Sequence, residues 1–144
     1  MSIPESMLAG NIFIDLLALA LGANDDGRDA ARPAARRALF EQVCAQIRSM
    51  IADPYLTITA AADGVRMAPR TLQTLFQNRG TSFTAFVIEQ RLLLADRLLA
   101  RSQSMTVTDV AYAVGFSDLS HFSRMFHRRF GLTARDRRCE QENP

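Results

Sequence analysis

Between Asp118 and Gly131 the chain reads DLSHFSRMFHRRFG, which sets Arg124, Arg128 and Arg129 among Phe122, Phe126 and Phe130. A phenylalanine every four residues puts the three rings on one helical face, where they anchor the helix in a core. His121, Arg124 and Arg128 fall away from that face. A guanidinium carries five N–H donors in a planar fork, a shape that fits phosphate or the O6/N7 edge of guanine. The chemistry on offer is binding of an acidic partner or a base edge; a core helix with a solvated back is the plain alternative. A second set behaves alike: Arg70, Gln73, Thr74 and Gln77 look outward from a helix anchored by Leu72, Leu75 and Phe76. Gln73 has the donor and acceptor to read adenine, although a solvated glutamine on a helix is nearly as good a description.

Catalysis finds no such arrangement. Ser117, Asp118 and His121 stand on one short turn, where they cannot form the oriented relay of a catalytic triad. There is no Gly-rich phosphate loop, and His121 has no second metal ligand nearby. Cys44 and Cys139 are far apart, outside any CxxC pattern, and read as ordinary thiols. The expectation is a protein that is not an enzyme, with no catalytic residue, no metal and no cofactor.

The charge distribution favours an acidic partner. The formal net charge is only +2, yet residues 56–138 carry twelve arginines against six acids. The 55 residues before them carry five against seven, so the excess is confined to one segment. A localised basic segment is the electrostatic footprint of nucleic-acid binding. Every cation is arginine, since the sequence contains no lysine; codon bias alone would explain that choice, but not its localisation.

Helical periodicity dominates the elements that must position these residues. Residues 6–22 suggest a helix that is apolar nearly all round and needs a partner to cover it, while Asp15 and the lack of a basic leader argue against a membrane span or signal peptide. Residues 23–33 read as a polar linker, and Pro33 as the first position of a helix with a stripe of Leu39, Val43, Ile47, Met50 and Ile51. Short helices are expected over 59–64 and 69–77. A long helix capped by Thr81 or Ser82 runs to about Ala100, with Phe86, Leu92, Leu94, Ala95, Leu98 and Leu99 buried. Two more follow, one capped by Thr106 or Thr108 and running through Val114, the other over 118–129. Ala62 matches Ala111 at an offset of 49, whereas Leu72 and Phe76 match Phe122 and Phe126 at 50. The chain is a degenerate repeat, helix–turn–helix twice over, and such a motif presents its second helix to the DNA major groove.

These residues resemble the AraC/XylS family of bacterial transcription regulators. VTDVAYAVGFSDLSHFSRMFHRRFG carries the family's Ala-bearing first helix, its GF turn, its S-x-F-x-R-x-F helix and its closing Gly. GTSFTAFVIEQRLLLADRLL resembles the family's linker helix, and the likeness covers roughly residues 38–138. It implies an all-α fold with two helix-turn-helix units joined by one long helix (a homeodomain-like tandem), plus an N-terminal helix. The domain spans 34–138, with a tail over 139–144. The implied partner is double-stranded DNA, read by two recognition helices in successive major-groove turns about 34 Å apart. Carried over by position, Arg70, Gln73 and Thr74 face bases from the first unit, and Leu119, Ser120, His121 and Arg124 from the second. Thr81, Ser82, Arg128 and Arg129 are assigned to phosphate. Leu119 has the alternative of packing against its own turn, and Arg124 that of a phosphate contact. Arg91, inside the linker helix, reads as structural and paired with an acid.

The resemblance further implies contact with RNA polymerase, and a cytoplasmic, nucleoid-associated location. Residues 6–22 resemble the closing helix of a sensing and dimerisation domain and are the candidate for homo- or hetero-oligomer contact. Several positions depart from the family pattern: Arg66 replaces the first unit's turn glycine, Ala68 its serine cap, and Thr74 a frequent arginine. Phe83 and Ala134 replace prolines, and Arg137 a tyrosine. A competing reading of another class is an interaction module that pairs with a full-length relative and does not read DNA.

Overall fold

The computed structural model describes residues 25–140, and among these the chain forms seven helices and no strand. The chain divides into two units, residues 1–44 and 45–144. The expected helix over 6–22 and the last four residues lie outside the described residues.

The first described helix, α1 (Asp25–Arg48), corrects the expected linker over 23–33, because it starts eight residues before Pro33 and carries the proline inside. An interior proline lacks an N–H and crowds the carbonyl four residues back, at a cost of about 3 kcal/mol. The residues after it offset this. Ala34, Ala35 and Ala38 follow it with the strongest helix former. Toward the other end Ile47 and Ile51 are buried, as their spacing predicts.

The remaining helices are α2 (Ile58–Gly64), α3 (Pro69–Gln77), α4 (Phe83–Arg101), α5 (Val107–Ala113), α6 (Leu119–Phe130) and α7 (Ala134–Cys139). Their starts are set by local chemistry. Thr57, Ser82, Thr106, Asp118 and Thr133 accept first-turn backbone N–H groups of α2, α4, α5, α6 and α7. Thr106 with Asp109, and Thr133 with Asp136, complete reciprocal capping boxes. The sequence reading did not anticipate α7, whose Thr-x-x-Asp box was its available signal.

The repeat extends to individual hydrogen bonds. After α2, Arg66 N–H donates to Asp63 O and Met67 N–H to Ala62 O; after α5, Gly115 N–H donates to Tyr112 O and Phe116 N–H to Ala111 O. Both turns place a residue at positive φ, 57° for Arg66 and 102° for Gly115. Ser117 is the extra residue behind the change of offset, falling between this turn and the cap of α6. In the first copy the corresponding cap is Ala68, which has the extended backbone of an N-cap but no side chain to accept a hydrogen bond. Replacing Ala68 by serine is therefore expected to raise stability by about 1 kcal/mol. A urea titration of both proteins measures it, and an unchanged midpoint would show that the first-turn N–H groups of α3 gain nothing from a cap.

Helix α4 runs between the two helix pairs and packs against α3 on one side and α5, α6 and α7 on the other. Toward α3, the Phe76 ring stands edge-on to Phe83 at 6.1 Å and lies tilted against Phe86 at 5.3 Å. Phe83, where the family pattern has proline, thus supplies core volume. In the other direction Leu92, Ala95 and Leu99 meet Val110, Ala111, Val114, Phe116, Phe122, Phe126 and Ala134 in a continuous buried cluster. Phe86, Leu94 and Leu98, expected to be buried, are half-buried, while Phe83 and Val87 take the fully buried positions. The helix is flanked on more than one side, so its buried face is wider than a single stripe. Arg137 donates to both carboxylate oxygens of Asp96, at 2.7 and 3.2 Å, and thereby ties α7 to α4. This pair also raises the Arg137 guanidinium above its ordinary pKa.

Candidate nucleic-acid interface

On α3 the burial of Leu72 and Phe76 turns Arg70, Gln73 and Thr74 outward, and all three are exposed. Thr74 Oγ1 donates back to the Arg70 carbonyl at 2.9 Å. That bond leaves its methyl and both hydroxyl lone pairs for an outside partner. On α6 the same logic applies with larger anchors. Phe122 and Phe126 are completely buried, and Phe126 meets Phe130 at 4.6 Å between ring centroids. Ser120, Arg124 and Arg128 are exposed as a result.

The residues at the start of α6 are less uniform. Leu119 is half-buried and packs against the buried cluster around Phe122 and Phe126. His121 is also half-buried, its ring edge-on to Phe116 at 5.6 Å. Asp118 Oδ1 accepts from the N–H groups of Ser120 and His121, at 2.8 and 3.2 Å. These two bonds, that from His121 foremost, hold the Asp118 carboxyl below its ordinary pKa, and the nearby charge of Arg124 acts in the same direction.

Of the phosphate candidates, Thr81 and Ser82 are exposed ahead of α4, and Ser82 Oγ is already engaged by Ala85 N–H at 3.1 Å. Arg128 is exposed. Arg129 turns instead toward α4, where its Nε lies 2.9 Å from both carboxylate oxygens of Glu89. Its guanidinium also lies 5.0 Å from the centre of the Phe130 ring. A phosphate contact by Arg129 would have to compete with this ion pair.

Arg91 is structural, but its partners are not the expected acid. Nε donates to the Ile51 carbonyl at 2.7 Å and Nη2 to the Asp53 carbonyl at 2.8 Å. Burial pulls its pKa below the ordinary arginine value, opposed by the charge of Asp53. Sequence reasoning also passed over Arg135 and Arg138, which line an open groove of about 440 Å³ with Val107, Thr108, Leu119, Ser123 and Cys139. They lie on α7, which periodicity is too short to reveal. Among the described residues there is no group of three or more potential metal ligands. Nor is any helix among them long and apolar enough to cross a membrane.

Two helix-turn-helix units on one connecting helix, each exposing polar side chains from its second helix, define a tandem helix-turn-helix module. Comparison with known proteins places it further. A family described as "Helix-turn-helix domain" matches residues 61–138. The transcriptional activator RhrA of Rhizobium meliloti (strain 1021) is 37% identical over 94 residues, which cover 65% of this chain and 30% of that protein. A transcriptional regulator of Chromobacterium violaceum with an AraC-type DNA-binding domain superposes with a TM-score of 0.61 at 28% identity, covering 72% of this chain and 96% of that structure. The DNA-binding domain of the global transcriptional factor AdpA, solved with a target DNA, superposes with a TM-score of 0.61 at 25% identity, over 69% of this chain and 89% of that one. The chain belongs to the AraC/XylS family of helix-turn-helix transcription regulators. It spans less than a third of the length of RhrA.

Proposed function

We propose that this chain is a sequence-specific DNA-binding regulator of transcription that inserts α3 and α6 into successive major-groove turns. The observation that carries the proposal is the orientation of α6. Its buried Phe122 and Phe126 leave Arg124 exposed, one turn past the capped start of the helix and without an ion pair among the described residues. Arg124 reads guanine, with Ser120 and His121 beside it; Arg70, Gln73 and Thr74 contact bases from α3. Arg128, Thr81 and Ser82 serve phosphate, adding affinity and salt dependence without sequence preference. A binding role of this kind needs no catalytic residue, metal or cofactor. Contact with RNA polymerase and a cytoplasmic, nucleoid-associated location belong to the same proposal, in keeping with relatives named transcriptional activators and with the family resemblance. So does oligomer contact through residues 6–22.

Selection from a random duplex pool, followed by titration of the winning sequence, tests the proposal. An asymmetric motif is expected, and Arg124→Ala should lose about 1–3 kcal/mol and relax preference at one base pair. Weak, steeply salt-dependent binding with no motif and no response to Arg124→Ala would overturn it. The interaction-module reading would then take its place, favoured by the strained Arg66 and uncapped Ala68 of the first unit.

A further inference from the structure

Three distant pieces of chain converge on one arginine. Ile51 and Asp53 belong to the segment that leads from α1 into the first helix-turn-helix unit, whose cap is Thr57. Arg91 projects from the middle of α4. Gly115 is the turn of the second unit. Arg91 binds the two carbonyls of the leading segment through Nε and Nη2, at 2.7 and 2.8 Å. The same guanidinium lies against Gly115, where a Cβ would come within 2.8 Å of Arg91 Nε and 2.4 Å of the Ile51 carbonyl oxygen. The contact is therefore backbone on backbone, with a planar donor group beside it. Each connection is short: Ile51 is buried, and one residue past Gly115 the buried Phe116 ring packs on Phe122 of α6 at 5.2 Å.

We infer that Arg91 is a positioning residue that sets the spacing and rotation between the two recognition helices, and hence the separation of DNA half-sites the protein accepts. The inference rests on the DNA-binding reading above and adds to it the residue that makes the two units one ruler. The first unit also packs on α4 through Phe76 against Phe83 and Phe86. The Arg91 bracket ties that unit's entrance directly to the turn of the other. A lysine cannot replace it, because a single ammonium on a flexible stem lacks the fixed fork that spans both carbonyls.

The test uses the full chain and duplexes in which the spacer between the two selected half-sites varies by one base pair at a time. Wild type should show one sharp optimum near a helical repeat of about 10–10.5 base pairs between half-site centres. Arg91→Lys and Arg91→Gln should bind that optimum roughly tenfold more weakly, as loss of charge-assisted hydrogen bonds implies, and should flatten the spacer profile. Binding to the α6 half-site alone should not change. A profile of unchanged shape in the variants would overturn the inference, because a merely structural arginine lowers affinity at every spacing alike.

Nitroxide labels at Gln73→Cys and Ser123→Cys, with Cys44 and Cys139 replaced by serine, give an independent measurement without DNA. The label–label distance should be narrowly distributed in the protein with Arg91 intact and broader in Arg91→Lys. A broad distribution with Arg91 intact would overturn the inference even if both variants failed to fold. If wild type bound no duplex, the DNA reading would fall, and the label distances would still decide whether the bracket exists.

Discussion

Phe126→Ala should remove a large share of the stability of the second helix-turn-helix unit. The ring is completely buried and touches Phe122 at 5.6 Å and Phe130 at 4.6 Å between centroids, so no solvent can fill the space its removal leaves. Truncation of a buried phenylalanine costs about 3–5 kcal/mol, made up of lost transfer energy and an incompletely collapsed cavity. A domain of this size has about 5–15 kcal/mol in total, so the change takes a large share. Chemical denaturation followed by circular dichroism measures the loss. DNA affinity should fall with the folded fraction, and hydrogen exchange should rise first in α5, α6 and α7, which share that core. A loss under about 1 kcal/mol would mean that the cluster repacks around the vacancy, and that α6 is anchored by something other than its phenylalanines.

Gly115→Ala is expected to be nearly as damaging for a different reason. Position 115 has φ of +102°, which strains any L side chain by about 1–3 kcal/mol. The new Cβ would also meet the Ile51 carbonyl oxygen at 2.4 Å. That atom is backbone and already accepts from Arg91, so it cannot swing away. Overpacking adds about 1–3 kcal/mol, for a combined loss of about 2–6 kcal/mol. Gly131→Ala is the matched control. Its φ is +75° but nothing lies within 4 Å of a Cβ there, so only the conformational cost of about 1–2 kcal/mol applies. Thermal melts of the two variants side by side separate strain from collision. Equal losses would show that the close approach at Gly115 relaxes without cost.

Arg66 gives the comparison its counterpart within the molecule. It holds the same turn position in the first unit at φ 57°, in a non-glycine residue. The two turns share their backbone hydrogen bonds, and the second lies against Ile51 and Arg91. Glycine is thus required at 115 by contact as well as by φ. The first unit tolerates the substitution at a cost of about 1–2 kcal/mol.

The elements governed by short-range rules were legible in the sequence. Leu72 and Phe76, then Phe122 and Phe126, recur at helical spacing, so both recognition helices and their outward residues follow from periodicity. Ser82 and Thr106 mark helix starts because a hydroxyl placed there accepts an otherwise unpaired N–H. The degenerate repeat and the one-residue slip follow from comparing the chain with itself, and Gly115 marks its own turn, whereas the turn position of Arg66 follows from the family resemblance. The start of α1 is not legible locally, because Pro33 suits a first helical position, while the alanines after it offset its interior penalty.

What only the tertiary structure decided lies at separations of about forty residues. Arg129 meets Glu89, Arg137 meets Asp96, and Arg91 reaches the carbonyls of Ile51 and Asp53. No local pattern distinguishes an arginine aimed at phosphate from one aimed at its own linker helix, since residue type and spacing are alike in both. The choice depends on which carboxylate or carbonyl the packed helices bring within about 3 Å, because hydrogen bonds require that approach. Periodicity settles which side of a helix faces in; only the packing of α4 among its neighbours settles where each exposed guanidinium goes.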